Sequence, residues 1–171
     1  MADVVGPDKR SRMMSGIQGK DTKLEVAIRK ALHARGFRYK LYDKSLPGKP
    51  DIVLPKYRAA IQINGCFWHA HGCHLFKWPA NRQAFWKEKL EKNRIRDEKN
   101  RDTLMQLGWR LLVVWECAFK GSLRLPFDQM IDAMERWIRS DGGFLEIGGY
   151  PKEERNDAPY PETSGSPLPE F

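Results

Sequence analysis

Four side chains of this 171-residue chain have the chemistry and the spacing of a metal site. They are Cys66, His71, Cys73 and Cys117. Thiolate sulfur and imidazole nitrogen are the ligands that tetrahedral zinc prefers, and four protein ligands mark a structural rather than a catalytic ion. The spacing predicts a zinc site that ties a short loop to a segment 43 residues further on, with His69 and His74 competing for the histidine position. Buried free thiols beside a histidine-rich loop are the alternative.

A second candidate centre combines a carboxylate with neighbouring oxygen donors. Asp51 follows Pro50 at the start of a predicted strand, and Gln62-Ile63-Asn64 ends the next one. A Pro-Asp pair followed by acid-x-Lys on the neighbouring strand is typical of metal-dependent nucleases, because hairpin ends lie together and two oxygens can hold Mg²⁺ against a phosphate. Gln62 and Asn64 replace the acid and the lysine here, so the Gln62 side chain or the backbone carbonyl of Ile63 would supply the second oxygen. Capping a turn is the alternative role for Asp51.

Two further side chains could act on a water molecule near this carboxylate. His69 follows the same strand end and is not needed for zinc, which makes it the candidate general base. A second histidine of the zinc loop is its alternative role. Glu25 could orient the base or the water, although its spacing from Thr22 fits a helix-capping box that would explain it alone.

The composition favours a folded, nucleic-acid-binding protein. The net charge of +8 indicates a polyanionic partner, and the eight Phe, six Trp and five Tyr residues can stack on bases as well as fill a core. The longest apolar run has five residues, Leu111 to Trp115, so no membrane span is predicted. Three cysteines and no apolar stretch in the first twenty residues disfavour an exported, disulfide-bonded protein.

The elements that position these residues follow from the apolar spacing. The predicted elements, in chain order, are a helix over 22–36, strands over 37–41, 51–54 and 59–63, a long charged helix over 81–107, a buried-type strand over 110–115 and a last helix over 126–139. This order predicts an α/β fold with a mixed central sheet flanked by helices. We expect a flexible basic arm over 1–20, a folded domain over 21–140 and a disordered tail over 141–171.

Two stretches, LPGKPDIV and GCFWHAHGC, resemble the very-short-patch-repair (Vsr) DNA mismatch endonucleases, and the resemblance covers about residues 9–140. Supporting motifs are Phe85-Trp86-x-x-Lys89, Leu107-Gly108-Trp109-Arg110 and Trp115-Glu116-Cys117. The resemblance implies a restriction-endonuclease-like fold with structural zinc and an endonuclease domain within 21–140. It also implies Mg²⁺-dependent nicking on the 5′ side of the thymine in a T:G mismatch, which arises when 5-methylcytosine deaminates, as the first step of very short patch repair.

The resemblance implies roles for the matching residues. Asp51 would ligate magnesium, His69 would activate water and Glu25 would assist. The zinc ligands would be Cys66, His71, Cys73 and Cys117. The DNA contacts would be Phe67, Trp68 and Trp86 as an aromatic wedge from the major-groove side, Met14 from the minor groove, and Lys89 and Asn93 facing the bases.

One position departs from the family pattern. The most comparable members carry histidine where this chain has Asn64, and an asparagine cannot act as a general base, although it can donate a hydrogen bond to a phosphate oxygen. Together with Gln62, this departure motivates one alternative, a zinc-stabilised mismatch- or DNA-binding module with weak or no cleavage. A restriction-type nuclease of the same fold is the other. The expected partner is double-stranded DNA containing a T:G mismatch.

The expected setting follows from the same reasoning. We expect a monomer without membrane association, because one active site is enough to cut one strand. The resemblance places it in the bacterial cytoplasm at the nucleoid and leaves open contact with mismatch-repair proteins.

Overall fold

A five-stranded mixed sheet holds the loops that carry the candidate site. The computed structural model describes residues 21–150, so the arm 1–20 with Met14 and the segment 151–171 lie outside the described residues. The helices are α1 (Lys23–Ala34), α2 (Gln83–Gln106) and α3 (Phe127–Arg139). The strands are β1 (Lys40–Leu41), β2 (Ile52–Leu54), β3 (Ala59–Asn64), β4 (Arg110–Trp115) and β5 (Phe144–Ile147), and they follow one another across the sheet in this order.

The strand pairing brings two loops to one edge of the sheet. The β1–β2 and β2–β3 pairs are antiparallel, whereas β3–β4 and β4–β5 are parallel. Asn64 lies opposite Trp115 at the carboxyl ends of β3 and β4, so the chain leaves both strands at the same edge. Ile52 pairs with Ile61, which places the start of β2 beside the end of β3. These two strand registers therefore bring together the candidate site residues predicted from the sequence, at the ends of β3 and β4 and at the start of β2.

Helices cover both faces of the sheet. Ile28 of α1 and Met130 of α3 pack with Ile61 and Leu112 of the sheet in one buried cluster. Leu104 of α2 packs with residues of the opposite face, which include Ala60, Leu111 and Val113. The predicted α/β class with a mixed sheet between helices is therefore confirmed. Among residues 21–150, no helix combines the length and the apolar composition that a membrane span needs.

The ends of α1 follow the capping signals in the sequence. Thr22 accepts a hydrogen bond from the Glu25 N–H through its hydroxyl, and the Glu25 carboxylate accepts one from the Asp21 N–H at 2.9 Å. These contacts satisfy N–H groups that the first turn of a helix leaves without partners. Gly36, with φ of +88°, ends the helix in a conformation that favours glycine.

Arg110 joins the sheet to the carboxyl end of α3. Its guanidinium donates to the carbonyls of Trp137 at 3.0 Å, Ile138 at 2.8 Å and Ser140 at 2.9 Å, and also to Tyr57 at 3.1 Å. It stacks over the Trp137 ring at 4.7 Å from the centroid. Burial lowers the pKa of Arg110, but the carbonyls at the end of a helix carry partial negative charge and favour its cation.

The expectation of a disordered tail from residue 141 is wrong for its first part. Phe144–Ile147 form the edge strand β5, which pairs with β4 from Leu111↔Phe144 to Val114↔Ile147. Only Ile147 is fully buried in this strand, and a glycine pair lies on either side of the strand. The sequence of these four residues therefore resembles that of a linker. The first strand is also shorter than the predicted 37–41, because the Phe37 N–H still donates to the Leu32 carbonyl of α1 at 3.1 Å and its ring is buried in the core.

Candidate active site and metal centre

The four predicted metal ligands meet at the carboxyl ends of β3 and β4. Cys66, His71 and Cys73 lie in the loop after β3, and Cys117 lies in the 3₁₀ turn Glu116–Ala118 after β4. Their ligand atoms all lie within 4.8 Å of one another. Nδ1 of His71 is 3.5 Å from Sγ of Cys66 and 3.6 Å from Sγ of Cys117. These separations fit four ligands around one zinc ion, which binds sulfur at about 2.3 Å and nitrogen at about 2.0 Å.

Backbone N–H groups point at two of the thiols. Cys117 N–H donates to Sγ of Cys66, and Gly149 N–H donates to Sγ of Cys117, both at 3.3 Å. The hydrogen bond between the two thiols lowers the pKa of Cys117 and raises the pKa of Cys66, because two adjacent buried thiolates would repel each other and the pair therefore keeps one proton. A cation would relieve that repulsion. The donor set therefore fits a metal that binds thiolates.

Trp115 at the end of β4 sets the orientation of His71. The two rings are stacked with centroids 4.0 Å apart and planes 2° from parallel. Trp115 is itself buried against the sheet, so the imidazole has a fixed support. The β3–β4 pair thus positions the loop histidine as well as Cys117.

Asp51 reaches from the start of β2 to the end of β3. Its Oδ2 accepts a hydrogen bond of 2.7 Å from the Ile63 N–H. Burial raises the pKa of Asp51 to about 6, and the negative charge of Glu25 acts in the same direction, against the hydrogen bond from Ile63. A desolvated carboxylate near a second carboxylate is an environment that a divalent cation stabilises.

Glu25 is held by a buried network close to Asp51. Its carboxylate accepts hydrogen bonds from the Tyr42 hydroxyl at 2.7 Å and from the Arg29 guanidinium at 3.1 Å. Tyr42 and Arg29 also contact each other, and the Tyr42 N–H donates to the Asp51 carbonyl at 3.3 Å. Burial raises the pKa of Tyr42 to about 12, so the phenol stays a donor. Glu25 therefore combines its capping role with a fixed charge that acts on Asp51.

His69 is oriented by an acid on α2. Its Nδ1 is hydrogen bonded to Oδ2 of Asp97. An ionised carboxylate can only accept, so the proton of the neutral ring lies on Nδ1 and Nε2 is the basic nitrogen. The His69 ring also contacts Trp115 edge to face, with centroids 6.1 Å apart. His69 is thus separate from the zinc cluster, and its arrangement suits a general base.

A cavity of about 320 Å³ opens beside His69, between α2 and the sheet. Gln62 and Asn64 line it from β3, and Asp97 lines it from α2. A Cβ atom at Gly48 would lie 2.8 Å from Nε2 of Gln62, so the Gln62 amide lies under the loop that leads to Asp51. The Gln62 side chain therefore supports that loop, which favours the Ile63 carbonyl as the second oxygen donor near Asp51.

Three aromatic rings form a cluster beside the metal loop. The ring centroid of Phe67 lies 5.2 Å from that of Trp68 and 5.2 Å from that of Trp86, and the centroids of the two indoles are 6.1 Å apart. Nζ of Lys89 lies 5.7 Å from the Trp68 ring and 5.5 Å from the Trp86 ring. The Asn93 side chain donates to the Trp68 carbonyl at 3.0 Å. We call Phe67, Trp68 and Trp86 the aromatic wedge.

Asp97 is the residue that sequence reasoning missed. Helix α2 presents Trp86, Lys89, Asn93 and Asp97 at intervals of three or four residues, so they share one face. The family resemblance implies Lys89 and Asn93 as DNA contacts, and the helical spacing from Asn93 is the signal that could have found the acid. Met14 lies outside the described residues, and Asn64 lies in the wall of the cavity.

Comparisons with known proteins give relatives that match most of the chain. The family model described as DNA mismatch endonuclease Vsr matches residues 2–75. The chain is 43% identical over 147 residues to the DNA mismatch endonuclease Vsr of Escherichia coli strain K12, covering 86% of this chain and 94% of the relative. It is 40% identical to the type II nicking enzyme V.XorIIP of Xanthomonas oryzae, covering 77% and 98%, respectively. It is 47% identical to the type II nicking enzyme V.NmeAIP of Neisseria meningitidis, covering 71% and 86%.

Proposed function

Because the chain belongs to the Vsr family of DNA mismatch endonucleases, we propose that it nicks double-stranded DNA on the 5′ side of the thymine in a T:G mismatch. Such a nick would start very short patch repair of deaminated 5-methylcytosine. The observation that carries this proposal is the meeting of Asp51 and Ile63 where β2 begins and β3 ends. This geometry places a partly buried carboxylate beside a strand end, where a metal ion held by it could contact a phosphate.

The second part of the proposal is a magnesium ion at Asp51. A strand residue directs its N–H and its C=O to the same edge of the strand, so the Ile63 carbonyl faces the same space as the N–H that Asp51 accepts. The carboxylate and this carbonyl are hard oxygen donors of the kind Mg²⁺ takes. Bound there, Mg²⁺ would supply Lewis-acid stabilisation of the charge on the phosphate oxygens.

His69 is the general base in this proposal. Its Nε2 would accept a proton from the attacking water, and Asp97 would stabilise the imidazolium that forms through the hydrogen bond to Nδ1. Glu25, fixed by Tyr42 and Arg29, would keep a second negative charge near Asp51. Asn64 lines the cavity beside His69, where its amide could donate to a phosphate oxygen.

Zinc at the cysteine cluster would act as a structural ion. Cys66 directly precedes Phe67 and Trp68, and His71 follows His69 after one residue. Fixing both ends of this short loop would fix the general base and two rings of the aromatic wedge together. We propose that the wedge inserts beside the mismatch, because a T:G pair costs less to unstack than a matched pair and inserted rings replace the lost stacking.

The relatives named above come from bacteria, and we propose the bacterial cytoplasm, at the nucleoid, as the location. Cutting one strand requires one active site, so a monomer is sufficient.

One assay tests the proposed reaction. Two labelled duplexes, one with a T:G pair and one with C:G at the same position, are incubated with the protein and Mg²⁺. We expect a nick 5′ to the mismatched thymine and no cut in the matched duplex. Binding of the T:G duplex without cleavage would favour a DNA-binding module, and equal cutting of both duplexes would favour a restriction-type nuclease.

A further inference from the structure

Trp78 differs from the other tryptophans in its exposure. All six tryptophans lie within residues 21–150, and Trp78 is the only exposed one among them, with 51% of its surface accessible. Trp115 and Trp137 are buried at 8% and 5%. An indole that leaves half of its surface in water contributes little to the core, so its exposed face is available to a binding partner.

The ring of Trp78 continues the aromatic wedge outward. Its centroid lies 5.1 Å from that of Phe76, with the planes at 80°. Phe76 in turn stacks on Phe67 of the wedge, with centroids 6.3 Å apart and planes at 28°. The rings of Phe67, Phe76 and Trp78 therefore form one continuous row, of which Trp78 is the outer end.

Cationic side chains accompany this aromatic surface. Lys77 is exposed directly before Trp78. Beside Trp86 of the wedge, whose ring centroid is 5.3 Å from that of Phe85, the Arg82 guanidinium lies 4.5 Å from the Phe85 centroid, and Nζ of Lys89 lies 5.7 Å from the same centroid. Exposed rings interleaved with Lys and Arg are the surface chemistry that nucleic acids select, because phosphates attract the cations while rings contact bases and sugars.

We propose that Trp78 is an additional DNA-binding residue, which packs its indole on the duplex at the flank of the mismatch. The inference rests on the proposed insertion of the aromatic wedge and extends it by one ring. The row of rings reaches no more than about three base pairs from Phe67, since bases along one strand are about 3.4 Å apart. Trp78 thus binds the helix next to the disrupted pair and not the pair itself.

Affinity measurements on the full-length, zinc-loaded protein test this role. Binding of T:G and C:G duplexes is measured without added Mg²⁺ for the wild type, Trp78→Ala and Trp78→Phe. The exposed half of an indole presents roughly 100 Å² of mostly apolar surface, and covering it with DNA predicts that Trp78→Ala weakens binding between about fivefold and fiftyfold. Trp78→Phe keeps a ring and should lose no more than about threefold.

Two controls separate this loss from other causes. Leu107→Ala removes a side chain of similar exposure, 53%, that lies at the end of α2, and it should bind like the wild type. The dependence of the affinity on salt concentration should be the same for Trp78→Ala and the wild type, because an indole neutralises no phosphate. Tryptophan fluorescence should be quenched less by DNA in Trp78→Phe than in the wild type, since the ring that packs on the duplex is gone.

The outcomes distinguish this inference from the proposed function. If Trp68→Ala weakens binding of the T:G duplex while Trp78→Ala binds within twofold of the wild type, Trp78 is no DNA contact and the wedge stands. If neither variant changes the affinity, the proposed wedge and its extension both fail. Equal fluorescence quenching in the wild type and Trp78→Phe also overturns the inference, independently of how stable the alanine variant is.

Discussion

Replacing Asp97 by asparagine tests whether His69 works as an oriented base. The amide has two ways to meet Nδ1 of His69. If its oxygen accepts from Nδ1–H, the geometry is kept and only the charge is lost. If its NH₂ group donates to Nδ1, the ring proton moves to Nε2, and the nitrogen that should receive the proton from water is blocked.

The two arrangements bracket the expected loss of rate. Losing the charge weakens a charge-assisted hydrogen bond by about 1.4 kcal/mol, which is a factor of about 10. Both side chains are partly exposed, 21% for His69 and 30% for Asp97, so solvent reduces this contribution. Blocking the base is far more severe, since the equivalent Asp→Asn change in a serine protease triad lowers kcat by about 10⁴. We therefore expect Asp97→Asn to slow nicking between about threefold and about 10⁴-fold.

The assay is single-turnover nicking of a T:G duplex, with enzyme in excess so that product release does not contribute. Glu98→Gln is the matched control, because it makes the same acid-to-amide change one residue further along α2, in a side chain that is paired with Arg94 at 3.2 Å. Zinc content and duplex affinity should be unchanged in both variants. Nicking by Asp97→Asn within threefold of the wild-type rate would refute the reasoning, and an equal loss in Glu98→Gln would assign the effect to the charge of the helix.

Three further predictions concern the other parts of the site and the fold. Asp51→Ala should abolish nicking while one equivalent of zinc and the melting temperature are retained, and wild-type cutting by this variant would exclude Asp51 as the metal ligand. Cys117→Ser should bind less than one equivalent of zinc by metal analysis and unfold at a lower temperature, since metal binding contributes directly to folding free energy; full zinc occupancy with wild-type stability would contradict a four-ligand site. Arg110→Met should lower the free energy of unfolding by about 3 kcal/mol in urea titrations, because it leaves several carbonyls at the end of α3 without their charged donor. A change below about 1 kcal/mol would show that water replaces the guanidinium.

The sequence was most informative where chemistry and spacing coincide. The cysteine cluster could be predicted because few residue types bind zinc, and because β3 and β4 both end just before their ligands. The hairpin that brings Asp51 to Ile63 could be predicted from apolar runs separated by a short turn. In both cases the sequence offers only a few residues that could be zinc ligands, or only a few segments that could pair as strands.

Other features depend on packing that no local pattern encodes. Asp97 is one of many charged residues on α2, and only the way the helix lies across the sheet makes it the partner of His69. The strand β5 is held by its pairing with β4 and has little apolar alternation of its own. The exposure of Trp78 could not be predicted from the sequence either, since a tryptophan in a loop can lie in the core or at the surface.

The division of the metal ligands along the chain has a consequence for biosynthesis. Three ligands lie within eight residues, but the fourth, Cys117, follows only after α2 and β4. A nascent chain that has emerged only as far as Cys73 can hold a metal ion with three ligands at most, and the fourth ligand arrives when β4 takes its place beside β3. Completion of the coordination shell then requires the parallel β3–β4 pair, so the loop that carries His69 becomes rigid only in a chain that has formed the centre of its sheet.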